Sequence, residues 1–310
     1  MFVIAGEALI DLFVQPDGRY QPVAGGAPYN FARALALQSE SVGYANALSN
    51  DAFGQILQQK LASSGARHLG NISHKPTSLA LVSAEENGQP RYSFYRDGVA
   101  DREIDIATLK NSLHDATIFH SGGLALLPPD YELILQAMQH SRDRGLLCSV
   151  DVNMRPAVAH SMGVDMAHYR DAAMAVIERA TIVKVSDEDL RHLGLAQPLL
   201  GARSLLGDRC RLVVLTLGEQ GAWALTESEE IFCAAKQVSV VDTVGAGDCF
   251  YAGCIASLQR AGALEGLHHQ APNAALLSAA LNHGAISAAI NVGRQGCNPP
   301  TWDEVIAWRE

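Results

Sequence analysis

The chain reads as an α/β protein built on a mainly parallel sheet with helices on both faces. Two observations predict this. Short, unbroken apolar runs alternate with longer stretches of helical periodicity along the whole chain. Strands buried on both faces read as continuous apolar runs, and strand–helix alternation is the pattern of a parallel sheet with covering helices. Hydrophobic residues also make up 48% of the 310 positions against 18% charged, enough to bury a large core in one α/β domain.

Taken in order, strand-like runs occupy residues 2–5, 42–45, 117–120, 146–150, 181–185 and 212–217. Helical patterns occupy 28–38, 53–63, 131–144, 168–179 and 187–193. Ligands of such sheets sit beyond the carboxyl ends of the strands. Two stretches break the rhythm. Residues 12–23 read as two short strands around Pro16-Asp17-Gly18, a turn signal. Residues 77–96 read as two strands around Glu86-Asn87-Gly88, where Asn-Gly marks a hairpin. Neither stretch has a large core of its own. Together, at about 12–24 and 76–98, they predict a small projecting sheet, either a lid over a cleft or a surface hairpin. The chain, 1–310, is then one domain carrying this insertion.

The formal net charge is −10 with no basic run. That argues against nucleic acid and anionic membranes as partners, while a small anion can still bind a local site. No run of about 18 uninterrupted apolar residues occurs, so no membrane span is expected. Glu7 and Asp11 interrupt the first apolar run, which lacks a basic flank and does not read as a signal peptide. The six cysteines (Cys148, Cys210, Cys233, Cys249, Cys254, Cys297) form no C-x-x-C pair. Reduced, mostly buried thiols in a cytoplasmic protein are expected.

The strongest chemical signal is Asp242-Thr243-Val244-Gly245-Ala246-Gly247-Asp248. An extended stretch, 237–241, precedes it and a helix-like run, 249–258, follows. A loop with two close glycines thus opens a helix and carries a carboxylate. Glycine lets backbone approach a ligand, and the free amides and dipole of a helix N-terminus favour an anion. An acid facing that anion makes sense if it handles a proton. Phosphoryl transfer needs both parts, donors for the phosphate and a base for the attacking hydroxyl. Asp248 is the candidate base, and the amides of Gly245, Ala246 and Gly247 are the candidate anion hole. By residue type alone, Asp248 could instead cap the helix.

A second motif lies near the other end, Gly25-Gly26-Ala27-Pro28-Tyr29-Asn30. Its glycines allow backbone to meet a polar ligand, Pro28 suits a first helical turn, and Asn30 can donate to and accept from hydroxyls. Turn chemistry alone would use the same residues. Asp11 can accept two hydroxyl hydrogen bonds.

With these two motifs the chain resembles the ribokinase-like (PfkB) family of carbohydrate kinases, and its fructokinase-like members in particular. Residues 242–248 match the family's C-terminal signature and Gly25 to Asn30 its N-terminal G-G-x-x-x-N, in the expected order, with the likeness covering essentially the whole chain. The resemblance implies a three-layer α/β/α sandwich with a β lid, ATP and Mg2+ as cofactors, and a base at Asp248. It implies substrate contacts by Asp11, Gly25, Gly26, Asn30, Phe94 and Arg96, the last two at the end of the aromatic strand Tyr92-Ser93-Phe94-Tyr95. Asp151-Val152-Asn153-Met154-Arg155 matches a D-x-N-x-R loop near sugar and phosphates. There Asn153 meets substrate and Arg155 neutralises charge on the γ-phosphate; an Arg–Asp pair bracing the loop is the structural alternative.

Ser186-Asp187-Glu188-Asp189 stands where many members have N-x-x-E, with Ser for Asn and Asp for Glu. The resemblance gives Ser186 and Asp189 a part in Mg2+ and phosphate handling, and the same residues fit a capping box. Lys184, Thr216, Gly218, Gly221 and Asn282 fall on the implied nucleotide side. The segment from Asn291 to Pro300, with Asp242, Thr243 and Gly296, resembles a monovalent-cation site for K+, although Cys297 replaces a common Ala. Asn50-Asp51-Ala52-Phe53-Gly54 matches a loop read as structural, and His268-His269 as surface residues. A homodimer through the lid is implied as well. Fructose is the leading sugar; ribose, aminoimidazole riboside and 2-keto-3-deoxygluconate kinases share the features. Two other classes fit the residues less well. Intact Asp248 argues against an idle sugar- or nucleotide-binding regulator. The lack of G-x-G-x-x-G after the first strand argues against a dinucleotide-dependent oxidoreductase.

Overall fold

The computed structural model describes residues 1–15, 17–84 and 90–308, with backbone alone at 83, 84 and 90–92. Its strands are β1 (Phe2–Ile4), β2 (Leu9–Val14), β3 (Tyr20–Gly25), β4 (Val42–Tyr44), β5 (Leu48–Ser49), β6 (Arg67–His68), β7 (Ile72–Ser73), β8 (Ser78–Ala84), β9 (Pro90–Tyr95), β10 (Ile118–Gly122), β11 (Leu147–Asp151), β12 (Ile182–Ser186), β13 (Leu212–Thr216), β14 (Gly221–Leu225) and β15 (Glu230–Ala234). Its helices are α1 (Ala27–Leu37), α2 (Ala52–Ser63), α3 (Ile106–Ser112), α4 (Tyr131–Asp143), α5 (Pro156–Ser161), α6 (Met166–Ile177), α7 (Asp187–His192), α8 (Pro198–Ser204), α9 (Ala246–Arg260), α10 (Ala274–Val292) and α11 (Trp302–Ala307).

Nine strands form the main sheet in the order β15-β14-β13-β12-β11-β10-β1-β4-β6. All neighbours from β13 to β6 pair parallel, and β13, β14 and β15 pair antiparallel. The six apolar runs of the sequence are β1, β4, β10, β11, β12 and β13. Three strands of this sheet, β6, β14 and β15, carry no such run. In β15 only Ile231 and Cys233 turn inward, the alternation of a half-covered edge strand.

Along the central strands, side chains alternate between two cores. Ile118, Leu147, Ile182 and Leu212 pack with Tyr29, Phe31, Tyr251 and Leu277, on the side of α1, α9 and α10. Phe119, Cys148, Val150, Val183 and Val213 pack with Ile134, Met138, Tyr169 and Val176, on the side of α4 and α6. The period of two then turns His120, Ser149, Asp151 and Lys184 toward α9. His120 stacks on Phe31, and Ser149 Oγ lies 2.7 Å from Tyr251 OH. A polar row therefore runs under α9, ending at the carboxyl ends of β11 and β12.

The second sheet has the order β3-β2-β8-β9, two antiparallel hairpins joined by parallel pairing of β2 with β8. These are the two stretches that broke the sequence rhythm, though β2 begins earlier, at Leu9. Pro16 and the turn Glu86-Asn87-Gly88 lie outside the described residues. Asp11 stands opposite both Val23 and Ala80, and Ala80 stands opposite Phe94. Asp11 and Phe94 therefore share one face of this sheet. Val14, Tyr20 and Tyr95 belong to the other face and are exposed. Asp51 caps α2 by accepting from Gly54 N at 2.7 Å, and its carboxylate also receives Thr77 N and Oγ1 just before β8. This is the structural task expected of the Asn50-to-Gly54 loop.

Among the described residues α10 is the one helix long and apolar enough, by length and composition, to cross a membrane. Here it lies along α9, with His283 Nε2 held 2.7 Å from Gln38 Oε1. The two helices touch at Gly253 and Gly284. A methyl placed on Gly284 would sit 2.4 Å from Cys254 Sγ and 2.6 Å from Phe250 O. Because the second of these is backbone, the helices would have to part. Gly284→Ala should therefore lose about 1–3 kcal/mol, read as a fall in Tm. An unchanged Tm would show that the contact yields freely.

Candidate active site

The Asp242-to-Asp248 loop is fixed by its own side chains. Asp242 Oδ1 accepts from Val244 N at 3.0 Å and Oδ2 from Gly296 N at 2.9 Å, while Asn291 Nδ2 donates to Val244 O at 2.9 Å. Gly245 is the N-cap of α9, in the left-handed region at φ 73°. A methyl there would sit 2.3 Å from Cys297 Sγ, so both conformation and contact demand glycine. No side chain caps α9, leaving its first turn open to a ligand. The Ala246 amide leans back on Thr243 O at 3.2 Å.

Asp248 is not the cap that residue type allowed. It lies inside the first turn, 8% exposed, with Oδ2 accepting from Asn30 Nδ2 at 3.0 Å. Burial, then the Asp151 charge, pushes its pKa up to about 7, against the pull of Lys184, Asn30 and Arg155. Asn30 is buried on α1, and its Oδ1 has no protein partner. A buried acceptor left open beside a buried base suits a hydroxyl donor. Gly26 precedes α1 at φ 105°, and a methyl on it would meet Glu7 O at 2.4 Å. Gly25 packs equally close to Asp11, whose Oδ2 would lie 2.3 Å from a methyl there. Burial raises the Asp11 pKa to about 6, with Arg155 pulling it down.

At the strand ends, Lys184 Nζ lies 2.9 Å from each oxygen of Asp151, both side chains buried. Burial works against the ammonium, but Asp151 and Asp189 outweigh it and hold Lys184 charged. A methyl on Gly247 would lie 3.2 Å from Nζ, so the ammonium sits directly under the anion loop. Arg155 is exposed, its guanidinium near the carboxylates of Asp11, Asp151 and Asp248, and Asn153 is half-buried at φ 39°. Ser186 and Asp189 form a full capping box on α7. Asp189 Oδ1 also accepts from Met154 N at 2.7 Å, which braces the Arg155 loop. Thr216 ends β13, and the turn closes through Leu217 N donating to Gly221 O at 2.8 Å, with Gly218 and Gly221 at positive φ. Asn282 is exposed on α10.

Arg96 differs from the exposed charge its residue type suggests. It is 4% exposed and pairs with Asp101 at 3.0 Å, near Glu7. Asp101 also accepts from Ser78 Oγ, and its carbonyl from Asn46 Nδ2 at 2.8 Å. Reading by motif missed Glu7. Its Oε1 accepts from Ala27 N and its Oε2 from Leu124 N, each at 3.1 Å. Burial pushes its pKa up to about 7, with Arg96 the main opposing influence. An acid set inside an apolar strand-end run was the available signal. Among the described residues no three His, Cys, Asp or Glu side chains converge as a metal site. None of the six cysteines is in a disulfide, and five of them are buried.

A base held beside an uncapped helix N-terminus at the ends of parallel strands, faced by a small second sheet, is the equipment of a small-molecule kinase. The chain belongs to the pfkB family of carbohydrate kinases, whose model matches residues 2–304. A fructokinase of Rhizobium leguminosarum bv. trifolii is 34% identical over 270 residues, covering 84% of this chain and 80% of its own. Fructokinase-2 of Oryza sativa subsp. japonica is 32% identical over 263 residues, covering 81% and 77%. A fructokinase of Xylella fastidiosa, solved with bound ATP, superimposes at TM-score 0.86 with 27% identity, over 99% of this chain and 97% of that one. The three-layer ribokinase-like sandwich and the ATP-dependent sugar kinase class are thereby established for this chain.

An acid whose native pKa lies above its unfolded value binds its proton more tightly when folded. For Asp248 that stability is present below about 4 and is lost as pH rises through about 7. At pH 8 the buried charge is a net cost, so Asp248→Asn should raise Tm while sharply lowering turnover. A lower Tm in that variant would contradict the burial argument.

Proposed function

We propose that the protein phosphorylates a primary hydroxyl of fructose with ATP. The buried Asp248, bonded to Asn30 at the open N-terminus of α9, carries the reading. The sugar hydroxyl gives its proton to Asp248 as it attacks the γ-phosphate in line. Asn30 Oδ1 and Asp11 accept from other hydroxyls, and Gly25 and Gly26 bring backbone to the sugar, with Phe94 on the same lid face as Asp11. The α9 amides, Lys184 and Arg155 receive the transferred charge. Asn153 lines the sugar side. The turn Thr216 to Gly221, Ser186 and Asn282 border the nucleotide.

Arg96 pairs with Asp101 through Nη2 and leaves Nε and Nη1 without a protein partner, donors suited to a sugar oxygen. The fructokinase relatives support fructose in particular. Mg2+ fits as an ion carried in on the nucleotide and held by phosphate and water. It neutralises phosphate charge when bound, and Asp189 lies behind Ser186 on that side. Asp242, Thr243 and Gly296 are the proposed K+ site, framed by carbonyls of the ordered loop. Closure of the β2–β3–β8–β9 sheet would exclude water that otherwise hydrolyses ATP. Its exposed Val14, Tyr20 and Tyr95 suit pairing with a second copy. Six cysteines outside any disulfide agree with a reducing, cytoplasmic setting.

The test is ADP release with Mg-ATP and K+ over fructose, ribose, aminoimidazole riboside, 2-keto-3-deoxygluconate and glucose. Fructose should give the greatest turnover, and Asp248→Asn should lose about 10²–10⁴-fold in kcat. The kcat/KM should fall tenfold per pH unit below about 7, as Asp248 takes up its proton. Silence across the panel while sugars still bind would favour a regulator.

A further inference from the structure

We propose that Asp151 is a positioning residue for phosphoryl transfer, holding the Lys184 ammonium under the Gly245-to-Gly247 loop at the first turn of α9. This rests on the kinase reading above. Asp151 and Lys184 are direct partners across the parallel β11–β12 pair. Asp151 is the last residue of β11, and Lys184 faces α9 two residues before β12 ends at Ser186. The side chains are 5% and 6% exposed, and both Asp151 oxygens lie 2.9 Å from Nζ. An ammonium has three donors, so these contacts leave one. The space under Gly247, 3.2 Å from Nζ to a would-be methyl, is where that donor meets the loop.

A cation beneath a helix N-terminus is repelled by the helix dipole. Asp151 offsets that repulsion in the free enzyme, so Lys184 waits charged until a phosphoryl group brings negative charge to the same place. Glycine at 247 completes the arrangement, since a side chain there would push against the ammonium.

The charged and titratable groups around Asp248 come from several elements. They are Asp151 and Arg155 from β11 and its loop, Lys184 from β12, and Asp189 behind Lys184 on α7. Asp11 of β2 shares Arg155, Arg33 of α1 lies near Cys249 on α9 itself, and His120 of β10 lies near Lys184. On α10, His283 is held by Gln38, and on the C-terminal segment Cys297 adjoins Cys249. Asp151 and Lys184 act on Asp248 with opposite sign.

The experiment is the pH profile of sugar-dependent kcat/KM for wild type, Asp151→Asn and Lys184→Met. Asparagine keeps a hydrogen bond to the ammonium but not the charge, so the acid limb should move to lower pH. Lys184→Met should move it to higher pH. Both should lower kcat about tenfold or more on the plateau, through a misplaced or missing donor. A merely structural pair would lower both activities and leave the limbs at the wild-type pH, which would overturn the inference, as would limbs that move together.

If Asp151→Asn fails to fold, Lys184→Met alone carries the test. An acid limb at higher pH than wild type supports the inference, and a limb at the wild-type pH overturns it. Wild type without sugar-dependent turnover would sink the kinase reading and this inference with it. An active wild type with unmoved limbs in the variants sinks this inference alone.

Discussion

Asp248 is an acid kept out of water at the positive end of a 15-residue helix, and the site is arranged around it. In water an aspartate is a weak base, ionised far below neutrality. Burial under the sheet ends and the Asp151 charge bring it to where it can both hold and release a proton near pH 7. Lys184 and Arg155 keep it from going further. Glu7 and Asp11 are raised by the same cause. Three acids held above their ordinary values are a standing cost, which the two large cores on either side of the sheet offset.

The packing of α1, α9 and α10 brings Asp248 to Asn30. The Asn30–Asp248 bond joins residues 218 positions apart. It forms because α1 and α9 lie side by side on one face of the sheet, with Phe31 stacked on His120 beneath them. Tyr251, Ser149 and His120 form the polar floor of that layer. Small residues on α9 and α10 let the helices approach closely, which fixes the height of α9 over the strand ends.

A second buried cluster ties the small sheet to this frame. Asp101 holds Ser78 at the start of β8 and Arg96 just past β9, the two roots of one hairpin. Glu7 holds the amides of Ala27 and Leu124, the first residue of α1 and the turn after β10. Arg96 lies near both acids. The roots of the projecting sheet are thus anchored on the same buried charges that shape the Gly25-Gly26 loop, while its outer face stays open.

Two kinds of information in the sequence were enough for much of this. Continuous apolar runs specify strands covered on both faces, so β1, β4 and β10 to β13 were legible from hydrophobicity alone. The Gly-rich loops were legible because only glycine tolerates the backbone at Gly26 and Gly245. Strand β14 and the edge strand β15 were not, because an alternating or small-residue pattern is shared with loops. Tertiary structure alone decided which charges are buried and against what. A sequence carries no dielectric: Glu7, Arg96 and Asp151 have the same letters whether solvated or enclosed, and only the folded chain puts Asp151 on Lys184, Lys184 under Gly247 and Asn30 on Asp248.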